Sequence, residues 1–425
     1  MEDLENVLRA IEANRPAAVD FLARLVRIDT VVPPGNNYRE IAGVVADFLR
    51  TMGGRVSVVE AGEQYLAQSG ADRFDPPLAG PRPNVLAEFG DGDGPAVVIA
   101  AHLDVVPFGS GWTRDPLGEL VGDVFYGRGA TDDKGGAVAM ILAMKGLLDA
   151  GYTPRGKVIL AATMDEEVGG IGGLGALIEE GLIRADYGIA VDGGADHIAI
   201  SNQGRFKGRI VTEGVAVHSS RPYQGVNAIE TMARIVLAIQ EHARELLTRT
   251  TKIPAPPATG RQFLYPSANV GTIKGGLKEN IVPDYCQITF SRRVTPEETL
   301  DAARQEFLGV IERAVSGDPT AKWRYDEMNT REPSYTDPET PFVRDFQRIA
   351  EETLGHEVRV YGGLGGSDAC FMRNRLRIPT VELGVGREGS KPHGTDERVA
   401  IDDVVNTAKI FATSYLQTAG VRRRD

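Results

Sequence analysis

The sequence predicts an α/β protein with a three-layer domain around a mainly parallel central sheet, and with a smaller α+β domain inserted into it. Two observations predict the larger domain. Short, almost continuously apolar runs alternate with segments whose apolar residues recur at helical spacing, and turn residues separate them. Such alternation is typical of parallel sheets covered by helices. A third observation predicts the insertion: in one stretch the order becomes strand–helix–strand–strand–helix.

The N-terminal region is predicted to be helical. Apolar residues recur at helical spacing in Leu4–Ile11, in Phe21–Val26 and in Ile41–Met52. The turn residues Pro33–Gly35 separate the second of these segments from the third. The stretch Gln68–Pro83 is rich in Pro, Gly and Asp, so we expect a surface loop there.

The central sheet is predicted from four apolar runs that look buried on both faces. These runs are Ala96–Ala101, Lys157–Thr163, Tyr187–Val191 and Pro379–Val385. Helical patterns lie between and after them, notably at Gly135–Asp149 and Phe342–Gly355.

The insertion is predicted from strands at Phe206–Val217 and Asp284–Arg293 and from helices at Ala228–Leu247 and Pro296–Ala314. We therefore assign residues 1–203 and 320–425 to the larger domain and residues 204–319 to the inserted one.

Composition limits the functional classes. Lys plus Arg is 47 and Asp plus Glu is 59, so the formal charge of −12 argues against a nucleic-acid partner. The acidic N-terminal segment does not resemble a signal peptide, and no apolar run is long enough to cross a membrane. Only two cysteines occur, far apart, which excludes a disulfide framework and favours a cytoplasmic location.

Acidic and histidine residues follow each predicted central strand. His102 and Asp104 follow the first strand, Glu166 and Glu167 the second, and Asp192 the third. The fourth strand is followed by a loop that carries His393, and the segment GRGATDDKGG, residues 127–136, precedes a helix. Ligands bind at the carboxyl ends of strands in open α/β sheets, so we expect these side chains to converge.

Two imidazoles and several carboxylates without cysteine suit zinc, manganese or cobalt. Asp104 could hold the second ring nitrogen of His102. Glu166 and Glu167 could divide their duties, one binding metal and the other moving protons. Each signal alone has a structural explanation, for example a solvated acidic loop or a helix cap. Four of them, each placed after a buried strand, favour a metal site.

With these residues identified, the chain resembles the M20 family of metallopeptidases and deacylases. The resemblance covers nearly the whole chain and rests on motifs in family-like order. They are HLDVVP, YGRGATDDKGG, DEEVGG, VDGG, NIVPD, GGSDA and a late PHG.

The resemblance implies a site for two divalent metal ions, with zinc preferred to manganese or cobalt. One ion would be held by His102, Asp132 and Asp192, and the other by Asp132, Glu167 and His393. Asp132 would bridge the ions, and its peptide bond to Asp133 would be cis. Glu166 would be the general base and acid, and Asp104 would orient His102.

The resemblance also implies roles in the inserted domain, which serves as lid and dimerisation domain in the family. His218 would stabilise an oxyanion, Asn269 would be its polar neighbour, and Arg293 would grip a substrate carboxylate. Ser291 stands where the family usually has Asp, so Arg292 is an alternative to Arg293. Gly366 and Ser367 would belong to a substrate-binding loop. The expected assembly is a homodimer.

The predicted function is hydrolysis of an amide-type C–N bond in a small carboxylate-bearing molecule, an N-acyl amino acid or a dipeptide. A metal-bridging hydroxide would attack, with Glu166 as the base. One alternative is hydrolytic deamination, or cleavage of another C–N bond, of a small acidic and possibly aromatic amine by the same two-metal site. Another is a non-catalytic module that binds metal or peptide. A nucleotide-binding Rossmann-type enzyme is disfavoured because no G-x-G-x-x-G follows a strand.

Overall fold

Residues 2–70, 74–90 and 92–424 are described by the computed structural model, and the chain forms two compact units. The first unit holds the chain up to Ile200, the segment Thr336–Val360 and the chain from Ser367 onward. The second unit is formed by Ser201–Tyr335 and Tyr361–Gly366.

These bounds differ from the sequence-based division at residue 319/320. The second unit continues to Tyr335 because the strand Lys322–Arg331 pairs with Gly204–Glu213. The sequence of that strand, KWRYDEMNTR, is largely polar, so its apolar pattern did not reveal it.

The helices of the first unit are α1 Glu2–Ala13, α2 Arg15–Val26, α3 Tyr38–Thr51, α4 Glu63–Ser69, α5 Lys134–Asp149, α6 Ala176–Glu179, α9 Pro341–Leu354, α10 Ala369–Phe371 and α11 Ile401–Thr418. Its strands are β1 Arg55–Ala61, β2 Arg82–Phe89, β3 Ala96–His102, β4 Glu119–Val121, β5 Val124–Tyr126, β6 Tyr152–Pro154, β7 Lys157–Thr163, β8 Tyr187–Ala190, β9 His197–Ala199, β16 Arg359–Tyr361, β17 Thr380–Glu382, β18 Arg398–Ala400 and β19 Val421–Arg423.

The main sheet has the strand order β1-β2-β7-β3-β8-β17-β9-β16. Its central strands β7, β3, β8 and β17 are parallel, as predicted. Antiparallel pairs flank this centre, namely β1 with β2, β2 with β7 and β17 with β9, so the sheet as a whole is mixed. The predicted loop Gln68–Pro83 falls partly outside the described residues, and its last residues already belong to β2.

Alternate residues of the central strands point to opposite faces, and each face is buried. On β3, Val97 and Ile99 join a core with helices α1, α2, α3, α5, α9 and α11, whereas Val98 and Ala100 join a core with α6 and α10. This is the three-layer arrangement that the uninterrupted apolar runs predict, since a strand covered on both sides needs no polar face. None of the helices in the described part of the chain is both long and apolar enough to cross a membrane.

The second unit contains helices α7 Ala228–Leu246 and α8 Leu300–Val315 and strands β10 Ser201–Asn202, β11 Gly204–Glu213, β12 Ser267–Gly275, β13 Tyr285–Val294, β14 Lys322–Arg331 and β15 Ser334–Tyr335. Its larger sheet is antiparallel, in the order β12-β13-β11-β14. Both helices pack on one face of it. Each begins at a capping side chain, since Asn227 accepts from Ile229 N and Thr299 accepts from Ala302 N.

Candidate metal centre

His102 is the last residue of β3, and only 3% of it is exposed. Its Nδ1 lies 3.0 Å from the carbonyl oxygen of Asp104. A carbonyl only accepts, so Nδ1 carries the proton and, in the neutral ring, the Nε2 lone pair is left for a ligand. Nε2 lies 3.0 Å from Asp132 Oδ1. Burial alone would lower the pKa of His102, but its hydrogen bonds with Asp104 and Asp132 hold that pKa well above its usual range.

Asp132 lies in the loop before α5 and contacts two imidazoles. Its Oδ1 lies 3.0 Å from His102 Nε2, and its Oδ2 lies 3.1 Å from His393 Nε2. Burial raises the pKa of Asp132, but the two histidines outweigh burial and lower it. The Asp132–Asp133 peptide bond is cis, which confirms that prediction.

Glu167 completes a compact group. His102, Asp132 and Glu167 each offer one ligand atom, and these atoms lie within 4.8 Å of one another. Glu167 Oε1 is also 3.0 Å from His393 Nε2. Burial raises the pKa of Glu167 to about 7.

His393 is more exposed than the other residues of this group. Its side chain is 54% exposed, and its backbone has a φ of 61°, in a loop where Lys391 and Asp396 also have positive φ. Hydrogen bonds to Asp132 and Glu167 raise the pKa of His393 to about 10. Its imidazole therefore joins Asp132 and Glu167 from the solvent side of the group.

Asp192 follows β8 and is placed beside the group rather than within it. Together with Asp132 it lines a cavity of about 270 Å³, whose wall also includes His197 and Arg387. Burial, followed by the charge of Asp132, raises the pKa of Asp192 well above its usual range. The negative charge of Asp132 thus disfavours ionisation of Asp192.

Asp104 holds the turn that carries the two glutamates. Its carboxylate oxygens accept from the backbone N–H groups of Glu166 (3.2 Å) and Glu167 (3.1 Å). Its carboxylate lies 3.5 Å from His102 Nδ1, farther than its own carbonyl oxygen at 3.0 Å. The contact with His102 that the sequence predicts for Asp104 is therefore made mainly by the main chain, and the side chain orders the Glu166–Glu167 turn.

Several supporting residues were not predicted. Glu397 accepts from the backbone N–H of Asp132 at 3.1 Å and forms a buried ion pair with Arg128. Arg82 and Asp165 form a second buried pair at 2.7 Å, directly before the glutamates. Arg128 lies within the motif that marks the site, but an arginine in a glycine-rich loop does not indicate its partner. Glu397 lies four residues after His393, and nothing in its sequence context distinguishes it from a surface glutamate.

His218 lies in the second unit, with its side chain exposed. Its Nδ1 accepts from the backbone N–H of Ser220 at 3.2 Å. A neutral His218 therefore carries its proton on Nε2 and offers a hydrogen-bond donor there.

Arg292 and Arg293 lie on opposite faces of β13. Arg292 is fully buried and forms an ion pair with Glu298 at 2.6 Å, which makes it a structural residue. Arg293 lies on the other face, opposite Arg205 on β11, and Arg205 in turn lies opposite Arg331 on β14. The three arginines thus form a row across neighbouring strands.

The remaining predicted substrate residues are divided between the units. Asn269 is exposed on β12, opposite Ser291. Gly366 is in the second unit, where a Cβ atom at its position would lie 2.1 Å from Arg331 Nη1. Ser367 is in the first unit, is 2% exposed and donates to Glu382.

The donor set of the centre fits a divalent metal ion. The imidazoles of His102 and His393 converge on the carboxylates of Asp132 and Glu167. The contact of His102 Nδ1 with a carbonyl oxygen leaves the Nε2 lone pair of the neutral ring for a ligand, and the group contains no thiolate. Such nitrogen and oxygen ligands suit zinc, manganese or cobalt.

Comparison with known proteins agrees with this geometry. The model of peptidase family M20/M25/M40 matches residues 98–417. A probable succinyl-diaminopimelate desuccinylase of Staphylococcus aureus strain N315 is 27% identical over 358 residues, which are 79% of this chain and 86% of that relative.

Two solved structures share the fold. Aminopeptidase PepT from Bacillus cereus ATCC 10987 superposes with a TM-score of 0.73 at 23% identity, covering 96% of this chain and 99% of that chain. The Bacillus subtilis YXEP protein, described as a dinuclear metal binding peptidase from the M20 family, superposes with a TM-score of 0.66 at 15% identity, covering 96% and 99%. The family match runs from within β3 to the end of α11, so this chain belongs to peptidase family M20/M25/M40 and is a metallohydrolase.

Proposed function

We propose that the chain hydrolyses an amide-type C–N bond with two divalent metal ions bridged by Asp132. The observation that carries this proposal is that each oxygen of Asp132 lies against a different imidazole, His102 on one side and His393 on the other. A carboxylate with this arrangement can ligate two cations at once. Asp192 would complete the His102 site, and Glu167 would complete the His393 site.

We assign zinc as the preferred ion because the ligands are imidazoles and carboxylates in a mostly buried group. The bound cations would act as Lewis acids that lower the pKa of a water molecule and stabilise negative charge on the scissile carbonyl oxygen.

Glu166 is the proposed general base and acid. Asp104 fixes the backbone of Glu166. The negative charge of Glu166 contributes, after burial, to the raised pKa of both Glu167 and Asp192, which supports a place for its carboxylate near these residues. Glu166 would take a proton from the attacking water and return it to the leaving amine. The Nε2–H of His218 would donate to the oxyanion, because the contact with Ser220 leaves that donor available.

The proposed substrate is a small molecule with a carboxylate, an N-acyl amino acid or a dipeptide. Arg293 supports this, since its guanidinium is on the sheet face opposite the packed helices, in a row with Arg205 and Arg331. A planar guanidinium recognises carboxylates through paired hydrogen bonds. The names of the similar proteins, a desuccinylase and an aminopeptidase, fit this class of substrate.

We also propose a homodimer formed through the second unit. Strand β12 is at the edge of its sheet, and apolar side chains are exposed on or near it, with Ile273 59% exposed and Leu277 91% exposed. An uncovered edge strand with apolar residues favours pairing with a second copy.

Replacing Glu166 with Gln tests the proposed chemistry. The amide keeps the size of the side chain but cannot accept the proton, so we expect kcat to fall by about 10²–10⁴-fold. Metal content, measured by mass spectrometry, should stay at the wild-type level. The matched control is Glu63→Gln, an exposed position on α4, which should leave both values unchanged.

The assay would use N-acyl amino acids, dipeptides and small aromatic amines, so that deamination is tested in the same experiment. Wild-type turnover in Glu166→Gln with intact metal would remove Glu166 from the mechanism. Release of ammonia from an aromatic amine, without amide cleavage, would replace the proposed reaction by deamination.

A further inference from the structure

Arg128 and Glu397 form an ion pair beside the metal centre. Arg128 is 2% exposed and Glu397 is fully buried, and Arg128 Nη1 lies 2.5 Å from Glu397 Oε2. Removing two charges from water is expensive, and a buried pair is weak evidence for stabilisation of the fold. Two other polar atoms of these side chains, Arg128 Nη2 and Glu397 Oε1, contact the main chain of the metal centre.

Glu397 holds the main chain at the bridging ligand. Its second oxygen, Oε1, accepts from the backbone N–H of Thr131 at 3.0 Å and of Asp132 at 3.1 Å. The Asp132 side chain extends from this peptide toward His102 and His393. A shift of the peptide would move both carboxylate oxygens of Asp132 relative to the two imidazoles.

Arg128 holds the main chain at the other end of the site. Its Nη2 donates to the carbonyl oxygen of His393 at 3.1 Å. It also lies 3.3 Å from the carbonyl oxygen of Pro107 and 3.4 Å from that of Phe108, and the guanidinium is stacked over Trp112 at 5.4 Å. Since the His393 side chain is 54% exposed, packing around its ring gives less restraint than for His102, which is 3% exposed.

We propose that the Arg128–Glu397 pair is a positioning element that fixes Asp132 and His393 relative to each other and thereby sets the affinity of the His393–Glu167–Asp132 site for its metal ion. The inference rests on the proposed two-metal function. It predicts that the pair matters more for this ion than for the ion at His102 and Asp192. The Asp132 peptide, held by Glu397, would serve both ions, whereas the main chain of His393, held by Arg128, would serve only this one.

The local fold has other links that should survive loss of the pair. Gly127 N donates to the carbonyl oxygen of Glu397 at 2.9 Å, and Thr131 Oγ1 donates to that of Arg398 at 2.6 Å. Strand β18 also pairs with β5. Variants of the pair are therefore expected to fold, with the two segments adjacent but less well fixed.

The test is metal binding to the stripped full-length protein. Zn²⁺ is titrated into wild type, Arg128→Met and the double variant Arg128→Met/Glu397→Gln. The double variant removes both charges and so does not leave the buried Glu397 carboxylate without its partner. We expect two ions per chain in wild type. In both variants the weaker ion should lose affinity by about 10–100-fold, the range for groups that support metal ligands, while the tighter ion changes little.

Cobalt provides a second readout, because the visible spectrum of Co²⁺ reports its ligand geometry. In wild type the absorbance should rise in two phases as two equivalents of Co²⁺ are added, one phase for each ion. In the variants the second phase should be absent. The control is Arg292→Met, which breaks another buried arginine pair, with Glu298, in the second unit. It should lower the unfolding midpoint without changing metal stoichiometry or the cobalt spectrum.

The outcomes separate the inference from the proposed function. If wild type itself binds no metal, the two-metal function fails. If wild type binds two ions and both variants bind two ions with unchanged affinities, showing only a lowered unfolding midpoint as in Arg292→Met, the pair is purely structural and the inference is overturned. If Arg128→Met does not fold, the single variants Glu397→Gln and Arg128→Lys are titrated in its place, and wild-type affinity for both ions in these variants would overturn the inference.

Discussion

Asp132 has each of its carboxylate oxygens within 3.1 Å of a different imidazole, and this residue links the two halves of the site. Without a bound cation, the histidines themselves supply the positive charge beside Asp132 and Glu167. Protons are held in this group by two causes: hydrogen bonds to Asp132 and Glu167 raise the pKa of His393 to about 10, and burial raises the pKa of Glu167 to about 7. A cation at this position must replace those protons.

Metal uptake should therefore release protons at neutral pH. Both pKa values are raised, so His393 is protonated and Glu167 partly protonated in the metal-free protein at pH 7. Affinity for Zn²⁺ should be weakest below pH 7 and should rise as the pH increases from there. Calorimetric titration in two buffers with different ionisation enthalpies measures the protons released.

The variant His393→Ala should release fewer protons, whereas His356→Ala, at an exposed position, should match wild type. Equal heats in both buffers at pH 7 would contradict the proton release.

At the scale of elements, strand β7 matches its predicted range and β3 extends one residue beyond it, to His102, because uninterrupted apolar runs are characteristic of strands buried on both faces. The parallel register of the two strands brings His102 level with Thr163, so the residues that follow each strand meet at one edge of the sheet. This explains why the convergence of these acidic and histidine side chains could be predicted from their positions after strands. The strands β12 and β14 were missed because each places only a few apolar side chains on the core, Ala268 and Val270 in β12 and Trp323 and Tyr325 in β14, among mostly exposed residues.

The choice between Arg292 and Arg293 also depends on an element. Successive residues of a strand point to opposite faces, but the sequence does not reveal which face is packed until the neighbouring strands are known. In β13 the packed face includes Phe290 and Arg292, so Arg293 is on the polar face. The sequence therefore indicated both arginines as candidates, and the strand register shows which of them lies on the unpacked face.

The contact of Glu397 with Asp132 likewise depends on the tertiary fold, because the two residues are far apart in the sequence.

The two arginines should respond differently to substitution. Arg293→Met should raise KM by about 10–100-fold, corresponding to loss of a charged hydrogen bond to substrate, with little change in stability. Arg292→Met should instead lower the free energy of unfolding by roughly 3 kcal/mol, because it leaves Glu298 without its buried partner, and should leave KM near wild type.

Steady-state kinetics on the best substrate and denaturant unfolding of both variants check this prediction. An unchanged KM in Arg293→Met, or a raised KM in a stable Arg292→Met, would contradict the assignment.

At the scale of the whole molecule, the chain shares its fold with the PepT and YXEP structures, which are 23% and 15% identical to it, over nearly their full length. The fold is thus retained while most of the sequence differs. Core strands tolerate exchange of apolar residues of similar volume, whereas ligand positions depend on specific atoms.

The proposed dimer gives a prediction at this scale. Wild type should have about twice the chain mass of 45.7 kDa in light scattering after size-exclusion chromatography. The double variant Ile273→Glu/Leu277→Glu places charges on or beside the β12 edge and should have the mass of one chain.

The matched control Leu120→Glu changes an apolar residue of the first unit that is 49% exposed, and it should remain a dimer. A monomeric wild type at micromolar concentration would contradict the dimer without affecting the metal site.

Metal dependence of amide hydrolysis tests the central claim most directly. The protein would be purified without chelator, its bound metals counted per chain, and its turnover of N-acyl amino acids and dipeptides measured before stripping, after stripping and after addition of Zn²⁺, Mn²⁺ or Co²⁺. The two-metal account predicts up to two ions per chain and hydrolysis that disappears on stripping and returns with metal. Hydrolysis at the wild-type rate in metal-free protein, or a folded protein that binds no divalent ion at all, would contradict it.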